Sequence, residues 1–532
     1  MSVRSGFALF LALSTLLFLA ACGSNNGVTN GVAPPTGGFS ASALNGSYVF
    51  SSAGFNVDGY YMVMTGAFTA NGSRGISGGA IDIVTSDPVY GVSTNQPIAG
   101  TSSYTIGVDG RGTAQLVTNS PAGTVELDFV LSSSSHGLVT EYDVNGSGSG
   151  TLDLQSTASQ SQFAGSYTFD ISGTGLGTTG SPFAMIGSMT LNSTGNVTAG
   201  FEDFNNGGGA TVDEALSTSS VVTIGTGTAP GTAELFTALG TYTFDVYAID
   251  STHLKFIETD GQLILAGDAY TQGTSLPVSG TLAFTMSGGD TSGLPLALGG
   301  IIPLDGNGNV LTGGAEDFND GGVAGTDSGF GGGFSTLAGG RSVLTLTSFV
   351  NSAANQVAGT YTFAAYPFSS NGVTGLELLE IDNAGVTSGV AYLQTGTSFA
   401  GSQGYGLNLS AVDLGTGSGE FEEDDIAEFT TTSSGFSGVV DFNDEGTVTP
   451  AQSLTGSYAA ATGSGRYSAT TTNAFNFNFY AVNNSTFLML ETDSSQIGAG
   501  IIELQNASGS AGAEPGISMH RANVPHARFR RK

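Results

Sequence analysis

The sequence has few or none of the residues on which several classes of protein depend. Its 532 residues include one cysteine, four histidines and no tryptophan, and 11 Lys+Arg stand against 43 Asp+Glu. A single cysteine excludes an internal disulfide framework and a cysteine-rich zinc site. The formal net charge of -32 excludes nucleic-acid binding through phosphate neutralisation, because that mode needs a basic surface. The absence of tryptophan disfavours an aromatic platform for carbohydrates.

The composition that remains is that of a folded protein with several domains. Only 10% of the residues are charged and 39% are hydrophobic, so the chain is not a charge-expanded disordered polymer. A chain of 532 residues is too long for a single hydrophobic core, because single cores stop growing beyond about 250–300 residues.

The N-terminal segment predicts a membrane anchor. An apolar run over 7–19 follows Arg4 and is too short to span a membrane, which is typical of a signal peptide. Two alanines then precede Cys22, and small residues before a lone cysteine indicate a bacterial lipobox. We therefore predict a lipoprotein signal peptide over 1–21, with Cys22 lipidated as the mature N-terminus. An ordinary secretory signal with an incidental cysteine is the alternative.

The residues that follow predict a flexible linker and a location in the cell envelope. The segment 22–39 is mostly Gly, Asn, Thr and Pro, a composition that predicts a flexible linker. Gly23 rather than Asp follows the cysteine. By resemblance to Gram-negative lipoproteins, that residue favours the outer membrane.

The rest of the chain consists of one unit that is repeated four times. The spacing E-x-D-x6-G-x4-Q occurs in four copies, which end at Gln155, Gln272, Gln394 and Gln505. The intervals between these glutamines are 117, 122 and 111 residues. A fixed spacing at a regular interval identifies an internal repeat.

Two further motifs recur, but each is missing from one unit. Asp-Phe-Asn occurs in units two to four, and unit one has Asp82-Ile83-Val84 instead. Gly-Arg occurs in the middle of units one, three and four, and unit two has Pro230-Gly231 there.

The periodicity within the units is that of β-strands. Tyr167, Phe169 and Ile171 alternate with polar residues, and hairpin-turn sequences such as Asp109-Gly110 separate the runs. We predict an all-β protein of four antiparallel meander modules, which occupy 40–157, 158–275, 276–396 and 397–507. Modules strung in a line must hide their edges, so we favour small up-and-down, lipocalin-like barrels over β-sandwiches. The basic tail over 508–532 is predicted to be disordered.

The Glu-x-Asp pairs predict a buried polar clasp. Strand alternation puts each Glu on the face of an apolar residue two positions earlier, so the carboxylate points inward and needs a partner. The mid-unit arginines are three of only five basic residues between 40 and 510, and are the natural partners. The predicted set is Glu141, Asp143, Arg111, Glu258, Asp260, Glu380, Asp382, Arg341, Glu491, Asp493 and Arg466. A Glu at the barrel rim or a buried acid in a ligand cavity are the alternatives.

The Asp-Phe-Asn motifs give a calcium hypothesis. Asp441, Asn443 and Glu445 precede Gly446 with the oxygen-donor spacing that opens an EF-hand loop. The corresponding residues of the other units are Asp203, Asn205, Asp317 and Asn319. No unit completes the pattern, and a strand ending in an Asx turn is the simpler interpretation.

Signatures of an enzyme are absent from the sequence. No nucleophile elbow, phosphate loop or metal-binding histidine spacing occurs. His136 and His253 stand at equivalent places, but units three and four have Gly375 and Thr486 there, which indicates loop residues rather than a catalytic base. The acidic run 422–425 is interpreted as a solvated loop rather than a glycosidase acid/base pair.

The units resemble a family of tandem-repeat lipoproteins of acidobacteria-like soil bacteria. Their units run G-x-Y-x-F, D-x-N, D-G-R-G-T and E-x-D with a closing G-x4-Q. Gly165–Phe169, Asp203–Asn205, Asp109–Thr113 and the Glu-x-Asp pairs carry the match, which covers nearly all of 40–507. The family has no established activity, so the resemblance implies the unit and no function. A looser likeness to lipocalins rests on unit size and the opening G-x-Y.

The sequence therefore predicts a non-enzymatic, lipid-anchored protein of the cell envelope, on the outer membrane. Its modules would serve adhesion, matrix contact or surface coating. The alternative is a carrier that binds a small apolar ligand or a glycan inside the barrels. No cofactor is expected apart from the possible calcium, and the expected partners are a membrane and an envelope or extracellular ligand.

Overall fold

The computed structural model describes residues 38–119, 123–156, 159–176, 180–337, 340–350, 359–370, 372–414, 421–460, 464–472 and 475–507. Cys22, the predicted signal peptide, nearly all of the predicted tether and the predicted tail lie outside the described residues.

The described residues form 35 β-strands and two short 3-10 helices, Ala41–Ala43 and Gln160–Phe163. The first sheet contains β1 (Asn45–Asn56), β2 (Tyr61–Asn71), β3 (Ile76–Thr85), β4 (Val92–Ile98), β5 (Ser103–Ile106), β6 (Arg111–Val117), β7 (Thr124–Leu131), β8 (His136–Asp143) and β9 (Gly146–Leu154). The second contains β10 (Gly165–Thr174), β11 (Pro182–Leu191), β12 (Val197–Asn206), β13 (Gly209–Ala215), β14 (Val221–Thr223), β15 (Gly231–Phe236), β16 (Thr241–Asp250), β17 (His253–Glu258) and β18 (Ile264–Thr271).

The third sheet contains β19 (Ser279–Asp290), β20 (Pro295–Asp305), β21 (Ala315–Asp320), β22 (Val323–Asp327), β23 (Gly331–Thr336), β24 (Ser342–Phe349), β25 (Gly359–Ser370), β26 (Val373–Glu380) and β27 (Gly385–Leu393). The fourth contains β28 (Gly404–Asp413), β29 (Phe421–Thr431), β30 (Gly435–Asp444), β31 (Thr447–Ala460), β32 (Arg466–Thr471), β33 (Asn476–Ala481), β34 (Thr486–Glu491) and β35 (Gln496–Leu504). We call these sheets modules 1 to 4.

The prediction of an all-β protein built from antiparallel meanders is confirmed. Within each module consecutive strands pair, except the fourth and fifth strands of modules 1 to 3, and the first strand also pairs with the last, as β1 does with β9. Module 4 is a closed eight-stranded barrel. The alternating apolar residues of the strands fill each interior, where Phe50, Phe169, Phe284 and Phe429 are at most 2% exposed.

Modules 1 to 3 differ from module 4 at the fourth strand. The 14-residue strand β31 pairs with both of its neighbours and closes the fourth barrel. In the other modules a short loop divides the corresponding segment into two strands, such as β13 and β14, so the sheet counts nine strands. Backbone hydrogen bonds still bridge the break, as from Val197 N to Ser220 O at 2.9 Å.

The repeated glycine of the motif has a steric reason. It lies on the last strand of each module, where that strand pairs with the first. A Cβ atom there would lie 2.5 Å or less from a backbone carbonyl oxygen of the first strand, closer than real Cβ atoms come. The four glycines are Gly150, Gly267, Gly389 and Gly500. Glycine therefore permits the two strands that close the module to approach each other.

Replacing one of these glycines should destabilise the protein. Gly267→Ala puts a methyl group against the carbonyl oxygen of Asp170, and the overpacking should lower the free energy of unfolding by about 3 kcal/mol. Gly240→Ala is the matched control in the same module, because no atom lies within 4 Å of its added Cβ; it should change stability by less than about 0.5 kcal/mol. Urea unfolding measures both, and equal losses would contradict the steric explanation.

Candidate functional site at the junctions between modules

The four modules contact one another in a closed circular order. The residue after the motif glutamine of each module donates its backbone N–H to a carbonyl of the next module. These bonds are Ser156 N to Ile249 O at 2.8 Å, Gly273 N to Pro367 O at 2.9 Å, Thr395 N to Val482 O at 2.7 Å and Asn506 N to Ser132 O at 2.6 Å. The last bond joins module 4 to module 1, so the expectation of modules strung in a line is wrong.

Apolar surfaces outside the barrels account for this arrangement. Modules 1 and 2 share a buried cluster that includes Phe55, Tyr61 and Ile257, and modules 2 and 3 share one that includes Ile186 and Tyr366. A further cluster draws side chains from all four modules. Burial of apolar surface stabilises the ring because a separate module would expose these side chains to water.

Arginine–aspartate ion pairs cross three of the four junctions. In each pair the Asp of an Asp-Phe-Asn motif accepts from the arginine of the following module. The contacts are Arg341 Nε to Asp203 Oδ2 at 2.5 Å, Arg466 Nε to Asp317 Oδ2 at 2.7 Å and Arg111 Nη1 to Asp441 Oδ2 at 2.9 Å. Tyr366 and Tyr480 donate their hydroxyls to Asp203 and Asp317, both at 2.8 Å. A buried carboxylate is tolerated because the next module supplies a cation and a hydroxyl donor.

The predicted clasp between these arginines and the Glu-x-Asp pairs is therefore replaced by a different pairing. The arginines contact the neighbouring module, whereas Glu141, Glu258, Glu380 and Glu491 follow core residues on the inner faces of their strands and are at most 3% exposed. Burial, reinforced by the neighbouring Asp, raises the pKa of Glu380 to about 8. Burial likewise raises the pKa of Glu258 to about 9. These glutamates are neutral acids at neutral pH and need no arginine.

The Asp of each Glu-x-Asp pair has a local structural role. Asp382 accepts from the backbone N–H of Thr362 at 2.7 Å and of Ala384 at 2.9 Å. Asp143 and Asp493 likewise accept from the turn that follows and from a neighbouring strand. Asp260 accepts from Gln262 N at 2.9 Å.

The Asn of the Asp-Phe-Asn motif fastens one module to the Glu-x-Asp hairpin of the next. Asn443 Nδ2 donates to the carbonyls of Glu141 at 2.8 Å and Gly146 at 2.7 Å. Asn205 makes the same contacts with Glu380 and Gly385, and Asn319 with Glu491, Asp493 and Gln496. Two motifs that recur separately in the sequence thus bind each other across the junctions.

These contacts conflict with the calcium hypothesis for the Asp-Phe-Asn motifs. The Asp and Asn side chains lie on strands β12, β21 and β30 and are bonded to the neighbouring module rather than gathered around one point. Glu445 lies in the turn after β30, where φ is 43°. The simpler interpretation, a strand followed by a turn, agrees with the structure.

The junction between modules 1 and 2 lacks the arginine. Asp82 takes the place of the motif aspartate there and accepts from the backbone N–H of Asn95. Burial and the charge of nearby Asp245 raise the pKa of Asp82 to about 7, although the hydrogen bond from Asn95 opposes the shift. Without an arginine, this carboxyl binds a proton more readily than a free aspartate does.

A polar cluster lies where the four modules meet. His136 Nδ1 contacts Asp153 Oδ1 at 2.6 Å, and its Nε2 contacts Glu503 of module 4 at 3.3 Å. Lys255 Nζ contacts Asp268 at 2.9 Å and lies 3.9 Å from Asp153. His253, Asp170 and Glu377 complete this group, which we call the axial cluster. Apart from Asp170 on β10, these residues lie on the last two strands of their modules. His136 is equivalent there to His253, Lys255 to Glu377 and Asp153 to Glu503.

Electrostatics within the axial cluster are balanced by proton uptake. Burial alone lowers the pKa of His136, but the charges of Glu503 and Asp153 outweigh it and raise the pKa well above its usual value. Burial raises the pKa of Glu377, and the charges of Asp170 and Asp268 raise it further. Burial alone raises the pKa of Asp153, but the charge and hydrogen bond of His136 outweigh it and lower that pKa to about 2. His136 and Asp153 therefore form a buried ion pair.

The two histidines of the axial cluster are enclosed and bound to carboxylates. His136 and His253 are 7% and 8% exposed and are committed to carboxylates, so neither is placed to take a proton from an outside molecule. The sequence interpretation of both as loop residues is wrong, because they begin strands β8 and β17. Their recurrence at one repeat position was the available signal.

No protein-family model matches this chain, and no curated protein sequence matches it. Among solved structures it is similar to three forms of transferrin-binding protein B, each 9% identical in sequence. Intact Ap-TbpB, with its N and C lobes, is matched over 70% of this chain and 83% of that chain, with a TM-score of 0.21. The protein from Haemophilus parasuis is matched over 69% and 84%, with a TM-score of 0.21. The protein from serogroup B Neisseria meningitidis is matched over 70% and 84%, with a TM-score of 0.16. Likeness at this level transfers no function.

Within the described part of the chain, no helix has the length and apolar character needed to cross a membrane.

Variants of the ion pair between modules 2 and 3 should show strong coupling. Arg341→Met leaves Asp203 buried without its cation and should cost about 3–5 kcal/mol of unfolding free energy. Asp203→Asn and the double variant complete a double-mutant cycle measured by urea unfolding. The double variant should lose less than the sum of the single losses by about 1–3 kcal/mol.

The matched control is a pair from the predicted clasp, Arg111 and Glu141, which the structure does not bring into contact. Arg111→Met and Glu141→Gln share no partner, so their effects should add within about 0.5 kcal/mol. Additive losses for Arg341 and Asp203, or strong coupling for Arg111 and Glu141, would contradict the pairing described above.

Stability should fall as the pH rises from about 5 to 9. Buried carboxyls with raised pKa values, among them Glu202 at about 8 and Glu258 at about 9, bind protons in the folded state that the unfolded state has released. His136, whose pKa is also raised, adds a loss as it deprotonates. Unfolding free energy therefore decreases with pH across this range, by up to about 1.4 kcal/mol per unit for each titrating group.

Thermal unfolding in EDTA at pH 5, 7 and 9 measures this trend. Glu258→Gln removes one titrating group and should reduce the difference in Tm between pH 5 and pH 9. A Tm that increases with pH would show that these carboxyls are ionised in the folded protein.

Proposed function

We propose that the chain is a non-enzymatic, lipid-anchored protein of the cell envelope that displays a rigid four-module ring for adhesion, matrix contact or surface coating. The observation that carries the proposal is the use of the repeated polar residues. The aspartates and asparagines of the Asp-Phe-Asn motifs and closing glutamines such as Gln155 bind the next module, and the mid-unit arginines bind the preceding one. The repeat is therefore an assembly device, which favours a scaffold over four copies of a catalytic or binding site.

The packed barrel interiors support the same proposal. A carrier of small molecules needs a cavity of roughly 300–1,000 Å3. In module 4, Phe399 stacks on Phe487 with ring centroids 3.9 Å apart, and a nearby cavity measures about 40 Å3. The interior is occupied by side chains where a ligand would have to lie.

One cavity keeps ligand binding as the second candidate. A cleft of about 120 Å3 opens at the end of module 1, where Asn56, Asp58, Tyr90 and Asn145 line it beside the core residue Met62. Tyr90 is 48% exposed, and an exposed aromatic ring beside amides and a carboxylate is suited to a single sugar ring. The small volume places this function second.

The anchor proposal rests on Cys22 and on the resemblance to tandem-repeat lipoproteins. In growing cells, the wild type should incorporate labelled palmitate. It should also fractionate with the outer membrane, because each buried CH2 of an acyl chain contributes about 0.8 kcal/mol to membrane binding. Cys22→Ala should take up no label and leave the membrane fraction.

Gly23→Asp is the matched control, since it should keep the label but redirect the protein to the inner membrane. Cells that carry the wild type should also adhere to surfaces or to one another more strongly than cells with Cys22→Ala. Wild-type protein without label would contradict the proposed anchor. Equal adhesion of cells with the wild type and cells with Cys22→Ala would contradict the proposed display function.

A further inference from the structure

The mouth of module 1 is an open cleft built from three connecting segments. The cleft measures about 120 Å3 and is lined by the turn after β1, the loop between β3 and β4, and the turn after β8. Met62 and Ile83 also line it, and both belong to the barrel core. Tyr90 lies on the loop between β3 and β4 and is 48% exposed. The cleft therefore joins an apolar floor to a rim that solvent reaches.

A comparison with module 2 shows why module 1 is open at this end. The strand registers make Ile83 equivalent to Phe204 of module 2, and Met62 equivalent to Phe183. Phe183 stacks on Phe204 with ring centroids 5.7 Å apart, so two rings fill the corresponding part of module 2. Modules 3 and 4 also keep the phenylalanine of the Asp-Phe-Asn motif at the position of Ile83. Module 1 lacks this aromatic filling, which leaves room for a ligand.

The loop that carries Tyr90 is a second difference between the modules, and it is held in place. Six residues, 86–91, separate β3 from β4, whereas two residues separate the equivalent strands of modules 2 to 4. Asp87 accepts from Val89 N at 2.8 Å and from Asn56 Nδ2 at 3.2 Å, and its carbonyl accepts from Gly91 N at 2.9 Å. A rim that is ordered before binding loses less entropy when a ligand arrives.

Exposed apolar side chains are concentrated around this cleft. In the described part of the chain 13 large apolar residues are exposed, and five of them lie in or next to the three segments. These five are Val57, Val89, Tyr90, Val92 and Val144, with exposures of 36–80%. A group of exposed apolar residues beside a cleft is typical of a surface that meets a partner.

The polar groups of the rim decide which class of ligand fits. Asp58 and Asn145 are exposed, Ser93 is half-buried, and all three line the cleft. They offer a carboxylate, an amide and a hydroxyl, which together accept and donate hydrogen bonds. A wholly apolar ligand would cover these groups without satisfying them. Among the described residues that line the cleft none is basic, so an anionic ligand would meet the charge of Asp58 without a cation to offset it.

The volume of the cleft sets the size of the ligand. A closed cavity of about 150 Å3 holds one benzene ring. This cleft is of similar size and open to solvent, so it holds one ring and leaves the rest of a larger molecule outside. A sugar ring has hydroxyls at its edge and apolar C–H groups on its faces, and an exposed tyrosine can pack against such a face.

We propose that the mouth of module 1 binds one neutral sugar ring of an extracellular glycan. Tyr90 packs against the sugar, and Asp58, Ser93 and Asn145 bind its hydroxyls. The site deepens the proposed display function and rests on it, since the glycan is the partner that the displayed modules contact in adhesion. Many anchored copies on one cell strengthen a weak contact, because linked binding events raise the overall affinity.

Saturation-transfer NMR on the whole mature chain tests the proposal, with glucose, galactose, mannose and N-acetylglucosamine as separate probes. At least one of these neutral sugars should bind with a Kd of about 10⁻³ M, because one ring offers few atoms for contact. Glucuronate should bind roughly fivefold more weakly than the best of them, because its negative charge lies near Asp58.

Two variants separate the site from the fold. Tyr90→Ala removes the exposed ring and should weaken binding about tenfold. Ile83→Phe restores the residue of the other modules and should abolish binding, because the added ring fills the cleft. Leu176→Ala is the matched control, since Leu176 is 56% exposed and follows the first strand of module 2; it should leave the Kd unchanged. Circular dichroism and thermal unfolding verify that each variant is folded.

The proposal is overturned if none of the neutral sugars binds at about 10⁻² M, or if folded Tyr90→Ala and Ile83→Phe bind as tightly as the wild type. Tighter binding of glucuronate than of every neutral sugar would overturn the assignment to a neutral ring. These titrations use neither the lipid anchor nor cells. Their failure would therefore leave the adhesion comparison between the wild type and Cys22→Ala unaffected.

Discussion

The ring depends on the burial of one module's carboxylate against the next module's arginine. A carboxylate out of water is costly unless a cation and hydrogen-bond donors meet it, and the loss of either partner leaves the other uncompensated. Asp203 and Asp317 are 0% exposed, and the arginine and the tyrosine hydroxyl that donate to each of them belong to another module. The fold of one module is therefore completed by its neighbour. The apolar clusters add energy to the junctions, but the polar contacts set which surfaces meet and in which register.

The same pairing explains the gaps in the repeated motifs. Module 1 has Arg111 but no Asp-Phe-Asn, and module 2 has Asp203 but no arginine. Pairing within modules would leave both residues without a partner. Pairing each aspartate with the following module gives all three mid-unit arginines a partner, provided that module 4 is followed by module 1. The one junction without an arginine is then the one where the pKa of Asp82 is raised to about 7. The pattern of absences in the sequence was thus already the pattern of a ring, though strand periodicity alone could not reveal it.

The sequence predicted the strands and the all-β meander because both follow from local alternation and turn residues. It placed the Glu-x-Asp glutamates on the inner face for the same reason. It failed where a side chain's partner lies in another module, as for Arg341 and Asn205, because repeat spacing contains no information about contacts between repeats. The acidic run 422–425 shows a second kind of failure. These residues form part of a strand with Asp424 bonded to Ser147 and Ser149 of module 1 and Asp425 inside the barrel. A strand that is polar on both faces lacks the alternation by which strands are recognised.

The meeting of module 4 with module 1 brings the two ends of the described chain together. Phe39 bonds to Val108 at 3.0 Å, and Gln505 donates to the carbonyl of nearby Asp109 at 2.7 Å. In an open solenoid, copies can be added or lost at either end, because each repeat contacts only its neighbours. Here four modules complete the circle, because the fourth contacts the first, and no gap remains for a fifth copy. Because module 4 contacts module 1, adding or removing a whole repeat would break a junction between two existing modules.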